Sequence, residues 1–118
     1  MFRQAFAILV LSLACAAAVQ AQGQVYTPTQ SAYLKGELKR IQERFVDQVS
    51  AASGVPKDTI RQWVPTDGQD VPPKVNVVQA LQRSRGKPLS DEERAKVTAA
   101  EQERFQAVEQ ARARAQQK

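Results

Sequence analysis

The apolar residues between positions 31 and 53 recur every three or four residues, as they do along one face of an α-helix. This stripe consists of Leu34, Leu38, Ile41, Phe45, Val49 and Ala52. Gly54 follows, where many helices end with a residue in the left-handed conformation. The pattern therefore predicts an amphipathic helix over about 31–53. The polar segment 22–30 before it is expected to be a flexible lead-in.

Two shorter helices are predicted in the middle of the chain. The first covers about 56–64, since proline suits a first helical turn and Pro65 prevents the helix from continuing. The second covers about 75–85 and would end at Gly86. The segment between them, 65–74, contains turn residues and no apolar period, which predicts a loop.

The last predicted helix, about 90–115, has the clearest start. Ser90 stands three residues before Glu93, and this spacing is the capping box in which each residue satisfies a backbone N–H of the other. Large apolar residues are sparse beyond it. The narrow stripe that they form consists of Val97, Phe105 and Val108. We expect this stripe to face a partner helix, and the last two turns to be weakly anchored.

Together these segments predict an all-α protein. The expected architecture is a small bundle of three to four helices in a single domain over 31–118, with a long, weakly anchored C-terminal helix. Few large apolar residues are available to form its core. Because burial of apolar surface must offset the entropy of ordering the chain, a partner that adds burial is expected.

The first 21 residues have the layout of a secretory signal peptide. Arg3 is their only charged residue, and an apolar run over 5–19 follows it. Cleavage is predicted between Ala21 and Gln22, because residues of small or modest size, Val19 and Ala21, stand three positions and one position before the bond. The run is shorter than the roughly 20 residues that span a bilayer. Retention as a membrane anchor, or lipidation at Cys15, are the alternatives. The layout is typical of bacterial export and predicts a periplasmic or secreted protein that contacts the membrane only transiently, through the signal peptide.

Composition excludes several kinds of catalytic and metal site. The chain contains no histidine, and Cys15, its only cysteine, lies in the predicted signal peptide. A histidine-based triad, an imidazole metal site, a disulfide framework and a zinc thiolate site are therefore excluded from the mature chain. Asp67 and Asp70 share a loop but lack the further ligands of a calcium site. We predict no catalytic, metal or cofactor-binding residue, and no enzyme.

Residues 46–65 resemble a bacterial helix-turn-helix. Gly54 stands at the turn of that motif. Its apolar positions are occupied by Val49, Val55, Ile60 and Trp63. The resemblance implies that Lys57, Thr59, Arg61 and Gln62 face a DNA groove. The other interpretation is a structural corner between two helices. Because a signal peptide takes the chain away from the chromosome, we expect no nucleic-acid partner.

The remaining candidate chemistry is basic. Arg83, Arg85 and Lys87 cluster at the end of the third predicted helix, and such a group can bind anions. The leading hypothesis is a non-enzymatic, exported interaction protein. It would bind another envelope protein or a second copy of itself through helices. The alternative is a basic module that binds anionic envelope polymers or lipid.

Overall fold

A computed structural model describes residues 25–118 of the chain, which form four α-helices. These are α1 (Pro28–Ser53), α2 (Lys57–Arg61), α3 (Val77–Arg85) and α4 (Asp91–Ala115). The long helices α1 and α4 pack along each other in opposite directions, and α2 packs against α1. No strand occurs in this part of the chain, which confirms the all-α prediction. The predicted signal peptide, with its cleavage site at Ala21 and Gln22, lies outside the described residues.

The start of α1 corrects the predicted lead-in. The helix begins at Pro28, three residues earlier than predicted. The Thr27 hydroxyl accepts a hydrogen bond from the Gln30 backbone N–H at 3.1 Å, and the Gln30 side chain accepts one from the Thr27 N–H at 2.8 Å. This capping box satisfies two backbone donors that the helix leaves unpaired. Residues 28–30 are therefore helical, and the prediction of a flexible segment was wrong for them.

Three other predicted helix boundaries, at Gly54, Gly86 and Ser90, are confirmed. Gly54 closes α1 with a φ of 78°, and Gly86 closes α3 with a φ of 72°, both in the left-handed region. Ser90 caps α4 by accepting from the Glu93 N–H at 3.1 Å, and the Glu93 carboxylate accepts from the Ser90 N–H at 2.8 Å. These positions follow from local chemistry, which is why the sequence alone identifies them.

The two middle helices are shorter than predicted. The helix expected over 56–64 reduces to Lys57–Arg61, and turns continue the chain beyond it. The helix expected from residue 75 begins at Val77. Asn76 sets that start, because its side chain accepts a hydrogen bond from the Gln79 backbone N–H at 3.1 Å.

The buried apolar residues form two clusters. The large cluster lies where α2, α3 and the first half of α4 meet the end of α1. It contains Phe45, Val46, Val49, Val55, Ile60, Val64, Val77, Leu81, Leu89, Val97 and Ala100. The terminal cluster lies between the start of α1 and the end of α4. It contains Leu34, Leu38, Ala111 and Ala115.

The prediction of a weakly anchored C-terminal helix was wrong. Ala111 and Ala115, in the last two turns of α4, are buried against α1. Arg112 lies between them in sequence and donates two hydrogen bonds to the Asp70 carboxylate, at 2.8 and 2.7 Å. Alanine adds little apolar area, but its small side chain allows two helices to approach closely. An estimate based on large apolar residues therefore missed this contact.

The loop between α2 and α3 is fastened to α1 by a buried glutamine. The Gln42 side chain donates to the Gln69 carbonyl at 2.7 Å and accepts from the Gly68 N–H at 2.9 Å. Gly68 has a φ of 85°, and a Cβ atom there would lie 2.5 Å from the Lys35 carbonyl oxygen. The loop thus has one fixed position beside α1 and α4.

Candidate interaction surface

Helix α4 has an arginine at one of its core-facing positions. The buried residues of this helix are Val97, Ala100, Ala111 and Ala115. Their spacing of three, eleven and four residues leaves a gap, and Arg104 lies four residues after Ala100 and seven before Ala111. Residues at these spacings share one side of a helix. Arg104 therefore lies between the two apolar clusters, where a continuous core would require an apolar side chain.

The half-buried Arg104 packs on the ring of Phe45. Its guanidinium carbon lies 5.2 Å from the ring centroid, within the range of a cation–π contact. The Nε atom is buried, and no atom of the described residues accepts a hydrogen bond from it. Burial lowers the pKa of Arg104, because the guanidinium loses water, and the nearby Glu101 opposes this effect. Burial likewise raises the pKa of Glu101.

Phe105, the next residue, points outward. Its side chain is 64% exposed, although the chain has few large apolar residues to bury. Across a shallow cleft of about 210 Å³ lies the loop after α2, where Val71 is 48% exposed. Pro72 and the half-buried Val108 also line this cleft. We call Val71, Pro72, Phe105 and Val108 the Phe105 surface.

Charged residues of both signs surround the Phe105 surface. Asp70 and Glu109 each accept hydrogen bonds from Arg112, with the shortest donor–acceptor distance to each being 2.7 Å. The hydrogen bond from Arg112 to Asp70 is the main cause that raises the pKa of Arg112. Hydrogen bonds therefore hold the rim in position, and its three residues carry one positive and two negative charges. An apolar surface with a polar rim is the usual arrangement of a protein interface.

The three residues of the predicted partner-helix face are divided between the core and the surface. Phe105 and Val108 line the same cleft, but Val97 is fully buried in the large cluster. Val97 therefore belongs to the core of the domain and not to an external face. The prediction followed apolar residues along α4, whereas the structure places Arg104 inward and Phe105 outward. Val71 and Pro72 were missed, because residues in an irregular loop have no period that links them to a helix.

The predicted anion-binding group is also divided. Arg83 and Lys87 are exposed. Arg85 donates to the Glu93 carboxylate at 2.8 Å, and its side chain is only 13% exposed. The hydrogen bond from the Ser90 N–H, which is the larger cause, and this contact with Arg85 both lower the pKa of Glu93. Arg85 thus joins the end of α3 to the start of α4, which leaves two of the three residues available to a ligand.

The segment that resembles a helix-turn-helix is a compact corner. Its second helix, Lys57–Arg61, has only five residues, little more than one turn. Lys57 forms an ion pair with Asp47 at 3.1 Å, and Arg61 forms ion pairs with Glu43 and Asp58 at 3.1 and 2.8 Å. The basic side chains that would face DNA are therefore engaged by carboxylates. This geometry favours the structural interpretation.

Residues 25–118 contain neither a membrane-spanning helix nor a cluster of metal-binding side chains. No helix in this range combines the length and apolar character that crossing a membrane requires. No group of three or more acidic side chains there lies close enough together to hold a metal ion. No known protein family, curated protein or solved structure matches the chain.

Proposed function

We propose that this chain is an exported, non-enzymatic interaction protein that binds through the Phe105 surface. The observation that carries the proposal is the exposure of Phe105 beside Arg104, a half-buried arginine whose Nε has no hydrogen-bond acceptor among the described residues. A fold selected for stability alone would bury the phenylalanine and expose the arginine, because apolar burial is the main stabilising contribution. The reversed order of these two neighbours suggests that the aromatic side chain serves a partner.

The surface has the features of a small binding site. Aromatic residues contribute disproportionately to binding energy at protein interfaces. Phe105 lines a cleft whose walls combine apolar and polar side chains, and the Asp70–Arg112–Glu109 contacts hold the rim in place. A rigid rim reduces the entropy lost on binding. These features support docking of an apolar side chain from another molecule.

The occupant that we propose is a second copy of the chain. A two-fold interface must be self-complementary, so that a residue of one copy contacts a different residue of the other. The Phe105 surface offers both an exposed ring and a cleft. Its rim carries both signs of charge, so that an acidic group of one copy can face a basic group of the other. Two copies can therefore approach there despite a net charge of +5.

Export is the second part of the proposal, and it is supported by residues 1–21 alone. A reporter enzyme fused after Lys118, active only outside the cytoplasm, tests it. Activity that disappears when residues 1–21 are deleted is expected. Equal activity with and without them would contradict export.

Site-specific crosslinking in cells tests the binding surface. A photoreactive phenylalanine analogue at position 105 should yield a dimer of this chain. The same analogue at Gln110, which is exposed on another side of α4, serves as the control and should yield none. Crosslinked products that contain a different protein would show that this protein, and not a second copy of the chain, binds the Phe105 surface. Equal crosslinking from both positions, or none from either, would contradict the Phe105 surface.

A further inference from the structure

A second cleft, distinct from the Phe105 surface, lies between α1 and α4 and has a volume of about 230 Å³. Its lining includes Arg40, Arg44, Phe45, Glu103 and Arg104. We propose that this cleft, the Arg104 cleft, binds a small oxyanion, a phosphate or carboxylate group, through the Arg104 guanidinium.

The unpartnered Nε of Arg104 is the first argument. Buried donors are almost always paired with protein, water or a ligand, because an unpaired donor loses its hydrogen bonds to water without replacement. None of the ion pairs among the described residues includes Arg104. An oxyanion in the cleft would supply the Arg104 guanidinium with an opposite charge and with a hydrogen-bond acceptor that the described residues do not provide.

The position of Arg104 is the second argument. It occupies a core-facing position of α4, and its guanidinium is fixed above the Phe45 ring at 5.2 Å. An arginine held in this way is preorganised, and its planar fork matches the oxygens of a carboxylate or phosphate. A lysine or a flexible surface arginine would lose more conformational freedom on binding the same group.

The charge around the cleft is the third argument. Arg40 is paired with Glu37 at 3.4 Å, and Arg44 with Glu103 at 2.8 Å. Three guanidinium groups and two carboxylates line the cleft, which leaves one positive charge on the lining. Glu101, outside the lining, offsets part of this charge through its interaction with Arg104. An anion of low charge therefore balances the site. Arg40 and Arg44 also line the cleft and are exposed, so their side chains can move toward a bound anion.

The volume restricts the ligand to a small group. Pockets that hold drug-sized molecules measure roughly 300–1,000 Å³, and this cleft is smaller. A single phosphate or carboxylate, free or as the end of a longer molecule, is the chemistry that fits. A polyanion bound along a broad basic surface is not, because acidic side chains interrupt the lining.

The test follows the Arg104 Nε–H signal by ¹⁵N nuclear magnetic resonance in the purified chain. Inorganic phosphate and acetate are titrated separately, and chloride keeps the ionic strength constant. A saturable shift of this signal with either anion is expected. Tighter binding of phosphate would identify a phosphoryl ligand, and tighter binding of acetate a carboxylate. No saturable shift with either anion, or the same shift with chloride alone, would overturn the proposal.

Variants separate this site from general charge effects. For each variant, binding is measured from the amide signals of the cleft residues. Arg104→Met should weaken binding at least about tenfold, consistent with the loss of a charged hydrogen bond. Arg104→Lys, which keeps the charge but loses the fork, should also weaken it. Arg83→Met removes an exposed arginine outside the cleft and should leave binding unchanged. Wild-type affinity in both Arg104 variants would overturn the proposal. Circular dichroism confirms that each variant is folded.

Discussion

The two apolar clusters differ in what holds them together. The large cluster contains eleven buried residues, most of them branched or aromatic, from all four helices and their connections. The terminal cluster contains four, and two of these are alanines. Polar contacts supplement it, including the Asp70–Arg112 pair and the ammonium of Lys118 above the Tyr33 ring at 4.7 Å. Most of the apolar stabilisation is therefore concentrated near Gly54, and the end that contains both termini of the domain depends more on close helix approach and hydrogen bonds.

Arg104 marks the boundary between these regions, and both proposed binding sites lie beside it. Arg104 lines both the Arg104 cleft and the cleft of the Phe105 surface. A polar residue at a core-facing position limits how far the apolar packing extends. The interruption of the core therefore coincides with the surfaces that we assign to ligands.

The largest expected effect compares one leucine from each cluster. Leu81→Ala, in the large cluster, should lower the free energy of unfolding by about 3–5 kcal/mol, because the shortened side chain leaves a cavity that its tightly packed neighbours cannot fill. Leu38→Ala, in the terminal cluster, should lower it by about 2–3 kcal/mol, because side chains beside it can move into the space. Urea denaturation measures both. A greater loss from Leu38→Ala would contradict the comparison.

The second prediction concerns the loop fastened to α1. Gly68→Ala should destabilise the fold by about 2 kcal/mol or more, because it forces alanine into the left-handed region and against the Lys35 carbonyl. Gly36→Ala is the matched control. Position 36 lies inside α1 with open space around a Cβ atom, so alanine there should stabilise by about 0.5–1 kcal/mol. Thermal unfolding of both variants should show shifts of opposite sign.

The third prediction concerns substitutions of Arg104 and Phe105, the two neighbours at the boundary between the apolar clusters. Arg104→Leu should join the two clusters and stabilise the fold by about 1 kcal/mol in phosphate-free buffer, since apolar replacements of poorly paired buried charges often stabilise. Phe105→Ala should change stability by less than about 0.5 kcal/mol, as exposed positions usually do. Urea midpoints check both. A large loss of stability in Phe105→Ala would mean that the ring serves the fold.

The smallest expected effects concern the pH dependence of stability that two carboxylates of α4, Glu93 and Glu101, produce. Hydrogen bonds from the Ser90 N–H and from Arg85 lower the pKa of Glu93 below its ordinary value of 4.5, whereas burial raises the pKa of Glu101 above it. The stabilising contribution of Glu93 is therefore present above about pH 4.5 and is lost as the pH falls through its folded-state pKa. Glu101 acts in the opposite direction, because its ionised form is disfavoured in the fold and protonation relieves that cost.

Glutamine variants measure these two contributions. Glu93→Gln should lower stability at neutral pH and reduce the loss of stability in acid. Glu101→Gln should raise stability at neutral pH and make the loss in acid steeper. Urea midpoints at about pH 7 and about pH 3 give, for each variant, the slope of stability against pH. Slopes that change in the same direction in the two variants would contradict the assignment.

The sequence predicts those parts of the fold that depend on local chemistry. The helix-ending glycines at 54 and 86 and the capping box at Ser90 are each set by residues within one turn. The anchoring of Ala111 and Ala115 was not predictable in the same way, because the burial of an alanine depends on a distant helix. The loop position was likewise hidden, since Gln42 contacts a backbone 26 residues away.

The candidate site was only partly predictable for a related reason. Phe105 and Val108 attract attention as large apolar residues in a polar helix. Which of two adjacent positions faces the core depends on the rotation of α4 against α1, and Arg104 takes the inward position although its charge suggests the opposite. Val71 joins the surface only through the folded loop. A sequence pattern alone therefore identifies the residue types but not the surface that they form.

Self-association of the purified chain tests the central proposal most directly. Sedimentation equilibrium over a range of concentrations should show reversible dimer formation in the wild-type chain. Phe105→Ser should remain monomeric with an unchanged urea midpoint, and the control Gln110→Ser should dimerise like the wild type. Dimerisation that persists in Phe105→Ser, or a wild-type chain that stays monomeric at every concentration, would contradict the account.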